Sequence, residues 1–203
     1  MFKRWSVIVV CLAAIMALPA AASAKDYAGT ALNIIPSGQL QPGEPAAPKP
    51  NDAQATMYDG LTPLFDDVST GDLFGSGKSV LFGVPGAFTP GCDRTHLPGF
   101  VEQADELFAK GVDRVACVAV NDAFVMDAWG KSRDVGDKIV MLADGNGEFT
   151  KAMDLEMDGS GFGLGTRSKR YAAIIDDGVI TRLDVDDKGG VDVSSCGSVL
   201  GRL

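Results

Sequence analysis

The chain changes texture at about residue 61. From there on, apolar residues fall into short runs and periodic stretches, bounded by Gly, Pro and Asp. Ser79-Val-Leu-Phe-Gly-Val84 is a continuous apolar run and predicts a buried strand. Phe100, Val101, Ala104, Leu107 and Phe108 recur as one face of an amphipathic helix. The helical region they define runs from Cys92 to Lys110, with a kink expected near Pro98. Arg114–Val120 reads as a second buried strand, which makes a strand–helix–strand unit with a right-handed crossover as its default. Ala123–Lys131 predicts another helix and Lys138–Leu142 another strand, followed by the turn Asp144-Gly-Asn-Gly147. Arg170–Ile175 and Val179–Val185 flank Asp176-Asp-Gly178, a hairpin signal. Ser194–Leu203 suits a short closing helix, with Ser194 or Ser195 as its N-cap.

Ahead of this body the pattern is different. Lys3 and Arg4 precede an apolar stretch from Trp5 to Leu18, and Ala22-Ser-Ala24 supplies the small residues of a secretory cleavage site. Residues 1–24 therefore read as a signal peptide, with an uncleaved membrane anchor as the alternative. Residues 25–55 hold Pro36, Pro42, Pro45, Pro48 and Pro50 without an apolar period, and predict an extended, flexible tether. Residues 56–203 form the expected domain, of ordinary single-domain size. The periplasm is the expected destination.

The formal charge of −9 becomes −11 once Lys3 and Arg4 are removed. Such a balance argues against nucleic acid or an anionic membrane as partner, since both select basic patches. An exported chain would keep Cys92, Cys117 and Cys196. An odd number of cysteines fits poorly with a purely structural disulfide framework in an oxidising compartment. No Cys-x-x-Cys pair is present, which weighs against a thiol–disulfide oxidoreductase.

One of these cysteines has a distinctive setting. Cys92 falls where the strand ending at Val84 gives way to a helix, at the end of Pro85-Gly-Ala-Phe-Thr-Pro-Gly-Cys92. The free N–H groups and positive dipole end of a helix favour an anion there, and a thiolate is the reactive form of cysteine. The rival reading is a small buried core residue. His96, the sole histidine, lies four residues further on. That spacing would allow a Cys–His pair or two metal ligands, but no cluster of further ligands surrounds it. His96 is read as structural, and neither a metal nor a cofactor is expected.

The segment Val80-Leu-Phe-Gly-Val-Pro-Gly-Ala-Phe-Thr-Pro-Gly-Cys-Asp-Arg-Thr-His-Leu-Pro-Gly-Phe100 resembles the type II peroxiredoxins, the subfamily of peroxiredoxin-5. Pro85, Thr89 and Cys92 match the Pro-x-x-x-Thr-x-x-Cys signature of that family. Val120-Asn-Asp-Ala-Phe-Val-Met-Asp-Ala-Trp129, Leu142-Ala-Asp144 and Gly165-Thr-Arg-Ser-Lys-Arg-Tyr171 match further blocks in the same order. The resemblance implies an α/β thioredoxin-like fold, with a mixed central sheet flanked by helices. It also implies a thiol-dependent peroxidase acting on hydrogen peroxide and organic hydroperoxides.

By the same resemblance, Cys92 would be the nucleophile that becomes a sulfenic acid. Thr89 would hydrogen-bond its thiolate, and Pro85 would shape and shield the loop. Arg170, placed four residues before Ile174-Ile-Asp176, matches the family's active-site arginine, whereas Arg167 and Lys169 are its neighbours. Cys117 matches the resolving cysteine of the plant-like enzymes. Animal relatives use a cysteine near the C-terminus, where this chain has Ser194, with Cys196 two positions beyond. Resolution by Cys117, by Cys196 or by an external thiol stays open. Implied partners are a hydroperoxide, a thiol reductant of the glutaredoxin, glutathione or thioredoxin kind, and a second copy of the chain as a homodimer. A peroxide-responsive redox sensor, or a thiol–disulfide oxidoreductase of the same fold, is the alternative function.

Overall fold

The computed structural model describes the backbone of residues 31–35 and residues 67–203. The expected leader, residues 1–24, and most of the tether lie outside the described residues. Among the described residues, seven strands make one mixed sheet in the order β2-β1-β5-β4-β3-β8-β9. They are β1 (Ala31–Ile35), β2 (Asp67–Ser69), β3 (Lys78–Val84), β4 (Arg114–Ala119), β5 (Val140–Ala143), β8 (Tyr171–Asp176) and β9 (Val179–Val185). β6 (Glu156–Asp158) and β7 (Thr166–Ser168) form a separate two-stranded ribbon. The strands from β2 to β3 in sheet order run parallel, β8 pairs antiparallel to β3, and β9 pairs antiparallel to β8.

Side chains alternate along the central strands, as a pleat requires. Val80, Phe82 and Val84 of β3 point to one face with Val115, Cys117 and Ala119 of β4. That face is covered by α2 (Leu97–Ala109), α3 (Ala123–Ser132) and α5 (Cys196–Leu200), through Leu97, Phe100, Leu107, Met126, Trp129, Val199 and others. Leu81, Ala116, Val118, Leu142 and Tyr171 point the other way, against α1 (Thr70–Phe74) and α4 (Glu148–Ala152). With both faces covered, β4 is buried at every position, which is why it reads as an unbroken apolar run after Arg114. This three-layer arrangement is the thioredoxin-like α/β fold with a mixed sheet.

Three expectations change. The helical region from Cys92 is not one kinked α-helix. Cys92–His96 is a π-helical turn, with the Leu97 N–H donating to the Cys92 carbonyl, and the α-helix proper begins at Leu97. Pro98 explains the discontinuity: it has no N–H and its ring crowds the carbonyl four residues back, so the preceding turn widens. The stretch expected as a tether contributes β1, held between β2 and β5. The closing helix is shorter than Ser194–Leu203; Ser195 caps it by accepting from the Ser198 N–H.

Candidate active site

The loops after β3 and β4 leave the sheet at the carboxyl ends of adjacent parallel strands, where open α/β sheets gather their sites. They are tied together. The Ala87 N–H donates to Asn121 Oδ1 at 2.9 Å, and Arg167 donates from Nη1 to the Val120 carbonyl and from Nε to the Leu164 carbonyl, both at 2.8 Å. Arg167 thus serves the loop scaffold. Pro85 opens the first loop, half-buried, directly after β3. Phe88 follows in the left-handed region at φ 59°, half exposed, with its ring 6.4 Å from that of Trp129.

Thr89 then starts the helical run, its carbonyl accepting from the Asp93 N–H at 2.8 Å. Cys92 lies in this first turn and is fully buried. Thr89 Oγ1 is 2.9 Å from Cys92 Sγ and 2.8 Å from the Gly86 carbonyl. A hydroxyl has one hydrogen, so the two contacts describe two protonation states. With a thiol, Sγ–H donates to Oγ1 and the hydroxyl donates to Gly86. With a thiolate, the hydroxyl turns to Sγ, and the Gly86 carbonyl keeps the Thr89 N–H at 3.3 Å.

Arg170 immediately precedes β8, and the ladder pairs its neighbour Tyr171 with Gly83 near the end of β3. Only glycine fits there, because a Cβ on residue 83 would meet the Tyr171 ring at 2.0 Å. This close approach brings Arg170 to Cys92, with Nη2 donating to Sγ at 3.4 Å. Nη1 points to His96 Nδ1 at 3.0 Å. On its far side His96 Nε2 lies 3.0 Å from the Ser194 carbonyl and 3.2 Å from Ser194 Oγ. His96 does not pair directly with Cys92. Burial, together with the facing Arg170 charge and against the pull of the Ser194 carbonyl and Asp186, pushes it down to about 4.

The turn bearing Cys92 is fastened to α3 through Asp93. Trp129 Nε1 donates to Asp93 Oδ1 at 2.8 Å, and Arg133 Nε donates to the same oxygen at 2.7 Å while its Nη2 takes the other. The Arg133 bond holds the Asp93 carboxyl below its usual range. Asp93, Asn121 and Asp186 are site residues that sequence reasoning missed, and it singled out Ser194 only as an N-cap and as standing where animal relatives carry a cysteine. Asp93 and Asn121 lie within matched blocks; Ser194 and Asp186 reach His96 only through the fold.

The other two thiols among the described residues, Cys117 and Cys196, are buried and unpaired with one another or with Cys92. Cys117 faces the same side of the sheet as Cys92, and burial first, then Cys92 itself, raises its thiol well above the ordinary value despite Arg170. Cys196 opens α5, and burial, aided by Glu106, pushes it up to about 12. The structure therefore gathers Thr89, Arg170 and Cys92 in direct contact. It keeps Cys117 in the core beneath them and Cys196 on a separate element.

Residues 48–200 match the family model described as Redoxin. The chain is 48% identical to "Peroxiredoxin-2E-2, chloroplastic" of Oryza sativa subsp. japonica over 155 residues, covering 75% of this chain and 69% of that protein. It is 44% identical to Peroxiredoxin-2B of Arabidopsis thaliana, covering 71% of this chain and 93% of that one. Among solved structures, reduced Prx3 of Vibrio vulnificus in complex with H2O2 superposes with a TM-score of 0.62 at 55% identity, over 64% of this chain and 84% of that chain.

Proposed function

The chain belongs to the Redoxin family and is a type II peroxiredoxin, a thiol-dependent peroxidase; on that premise we propose that Cys92 is its peroxidatic nucleophile, with Thr89 and Arg170 as its catalytic partners. The observation that carries this is the bracketing of Cys92 Sγ by Thr89 Oγ1 at 2.9 Å and Arg170 Nη2 at 3.4 Å. The thiolate attacks one oxygen of a hydroperoxide. The O–O bond breaks, Cys92 becomes a sulfenic acid, and the departing oxygen leaves as water or an alcohol once protonated. Arg170 is donor-only and permanently charged, so it stabilises both the thiolate and the negative charge growing on the leaving oxygen. The Thr89 hydroxyl, free to turn, orients the peroxide against Sγ. Pro85 at the loop base excludes water.

Hydrogen peroxide and small organic hydroperoxides are the proposed substrates, and a thiol supplies the two electrons that restore Cys92. Resolution is assigned to Cys117: its thiol gives up a proton and attacks the sulfenic sulfur, the S–O bond breaks, the leaving hydroxide takes up that proton as water, and a Cys92–Cys117 disulfide forms. The Cys92 turn has to unwind first, since Cys92 heads a helical run and Cys117 sits mid-strand. We also assign residues 1–24 to export and the active form to a homodimer. Steady-state turnover with hydrogen peroxide and a panel of thiol donors tests the activity and names the reductant. Mass measurement of the mature N-terminus tests export, and sedimentation tests the dimer.

A further inference from the structure

A buried chain of hydrogen bonds leaves Cys92 in the direction away from the peroxide. Arg170 passes from Cys92 Sγ to His96 Nδ1; His96 Nε2 reaches Ser194; and Ser194 Oγ donates to Asp186 Oδ2 at 2.5 Å. His96 is 1% exposed, Ser194 fully buried, and Arg170 8% exposed. The two ends of this chain fix every hydrogen between them. A guanidinium only donates, so His96 Nδ1 must carry a lone pair. The proton of the ring is then on Nε2, where it donates to the Ser194 carbonyl and Oγ. A carboxylate only accepts, so the Ser194 hydroxyl hydrogen points to Asp186, and Oγ presents its lone pair to the imidazole.

Asp186 holds the same arginine from the other side as well. Its backbone N–H donates to the Arg170 carbonyl at 2.9 Å, while its carboxylate also accepts from the N–H groups of Val193 at 2.9 Å and Asp192 at 3.3 Å. One residue thus grips the Arg170 main chain directly and its side chain through Ser194 and His96. We infer that Asp186 and Ser194, on the segment joining β9 to α5, are positioning residues that fix His96 in the tautomer whose Nδ1 accepts, and so hold the Arg170 guanidinium on Cys92. The inference rests on the roles of Cys92 and Arg170 given above. The depressed basicity of His96, caused first by burial and then by the facing Arg170, agrees with an unprotonated Nδ1.

The chain has a single histidine, so a long-range proton–nitrogen-15 correlation spectrum of the untagged, full-length protein reports one imidazole. At pH 7 it should show the neutral ring with its proton on Nε2. An imidazolium, or a proton on Nδ1, overturns the inference. Stopped-flow reaction with hydrogen peroxide supplies the second readout, with thermal melts to verify folding. His96→Leu should react roughly tenfold slower or worse, less than the loss of a whole preorganised donor. His96→Asn, whose Oδ1 stands near the place of Nδ1 and can accept from Arg170, should regain most of that rate. Equal slowing in both variants would mean a merely structural histidine. Ser194→Ala removes one oxygen and adds no bulk, and should slow the reaction roughly threefold, the scale of one hydrogen bond. A wild-type rate in folded Ser194→Ala overturns the inference even if His96→Leu fails to fold. Peroxide consumption by Cys92→Ser would instead overturn the reading of Cys92, a separate outcome.

Discussion

The Arg170 guanidinium lies against the bare α-carbon of Gly91: a Cβ there would stand 3.1 Å from Nη2 and 3.8 Å from Cζ. The backbone of Gly91 is ordinary right-handed helix at φ −69°, so alanine is acceptable to the main chain. The obstacle is the arginine, which is tied to Cys92 and His96 and cannot swing away without losing one of them. Gly91→Ala should therefore leave the melting temperature nearly unchanged. It should slow the reaction with peroxide roughly three- to tenfold, because small misplacements of a charge-stabilising group are costly. Comparing kcat/KM with a thermal melt on the same sample checks both halves.

Cys92→Ser should consume no peroxide. Arg170→Ala and Thr89→Val should retain the fold and lose about 10²–10³ in rate, the usual effect of deleting one preorganised donor. Thr89→Ser, which keeps the hydroxyl, should stay within about tenfold of the native enzyme by the same reasoning. Normal turnover by folded Cys92→Ser would remove Cys92 from the nucleophile's role.

After one equivalent of peroxide, peptide mapping should recover a Cys92–Cys117 crosslink. A disulfide needs Cα atoms roughly 4.4–6.8 Å apart, and the crosslinked protein should have lost the π turn that carries Cys92 in the reduced form. Until then Cys117, fully buried and with its thiol raised, should resist alkylation in the reduced protein. A Cys92–Cys196 crosslink, or a lasting sulfenic acid without a disulfide, would transfer resolution to Cys196 or to an external thiol.

His96 also predicts an acid sensitivity. Its ordinary value of 6.5 falls to about 4 in the fold, so the unfolded chain takes up a proton where the folded one does not. The stability this group contributes is intact above pH 6.5 and is lost as the pH falls through about 4. The loss attributable to His96 is roughly 3 kcal/mol over that window. Urea unfolding at pH 7 and at pH 4.5 should show a smaller acid loss in His96→Asn than in the native chain. Equal losses would refute it.

The central strands and the catalytic turn could be read from the sequence because their causes are local. β3 and β4 are buried on both faces and so appear as apolar runs, and Asp176-Asp-Gly178 announces the β8–β9 hairpin. Cys92 and Thr89 touch across a single turn, a contact the family motif implied and the three-residue spacing allows. What stayed hidden depends on distant partners. Ala31–Ile35 is a strand because β2 and β5 flank it, and its own five residues carry little pattern amid the surrounding prolines. His96 meets Ser194 across 98 positions of sequence, so its role in the site had no local signal. The π turn follows from what Pro98 lacks, and spacing rules assume a regular helix.

The left-handed backbone at Phe88 also sets a direction for loop motion. A bulky side chain in that region costs about 1–2 kcal/mol relative to a relaxed conformation. Any opening that relaxed Phe88 would recover that strain, so the backbone at this position favours exposure of Cys92 instead of resisting it.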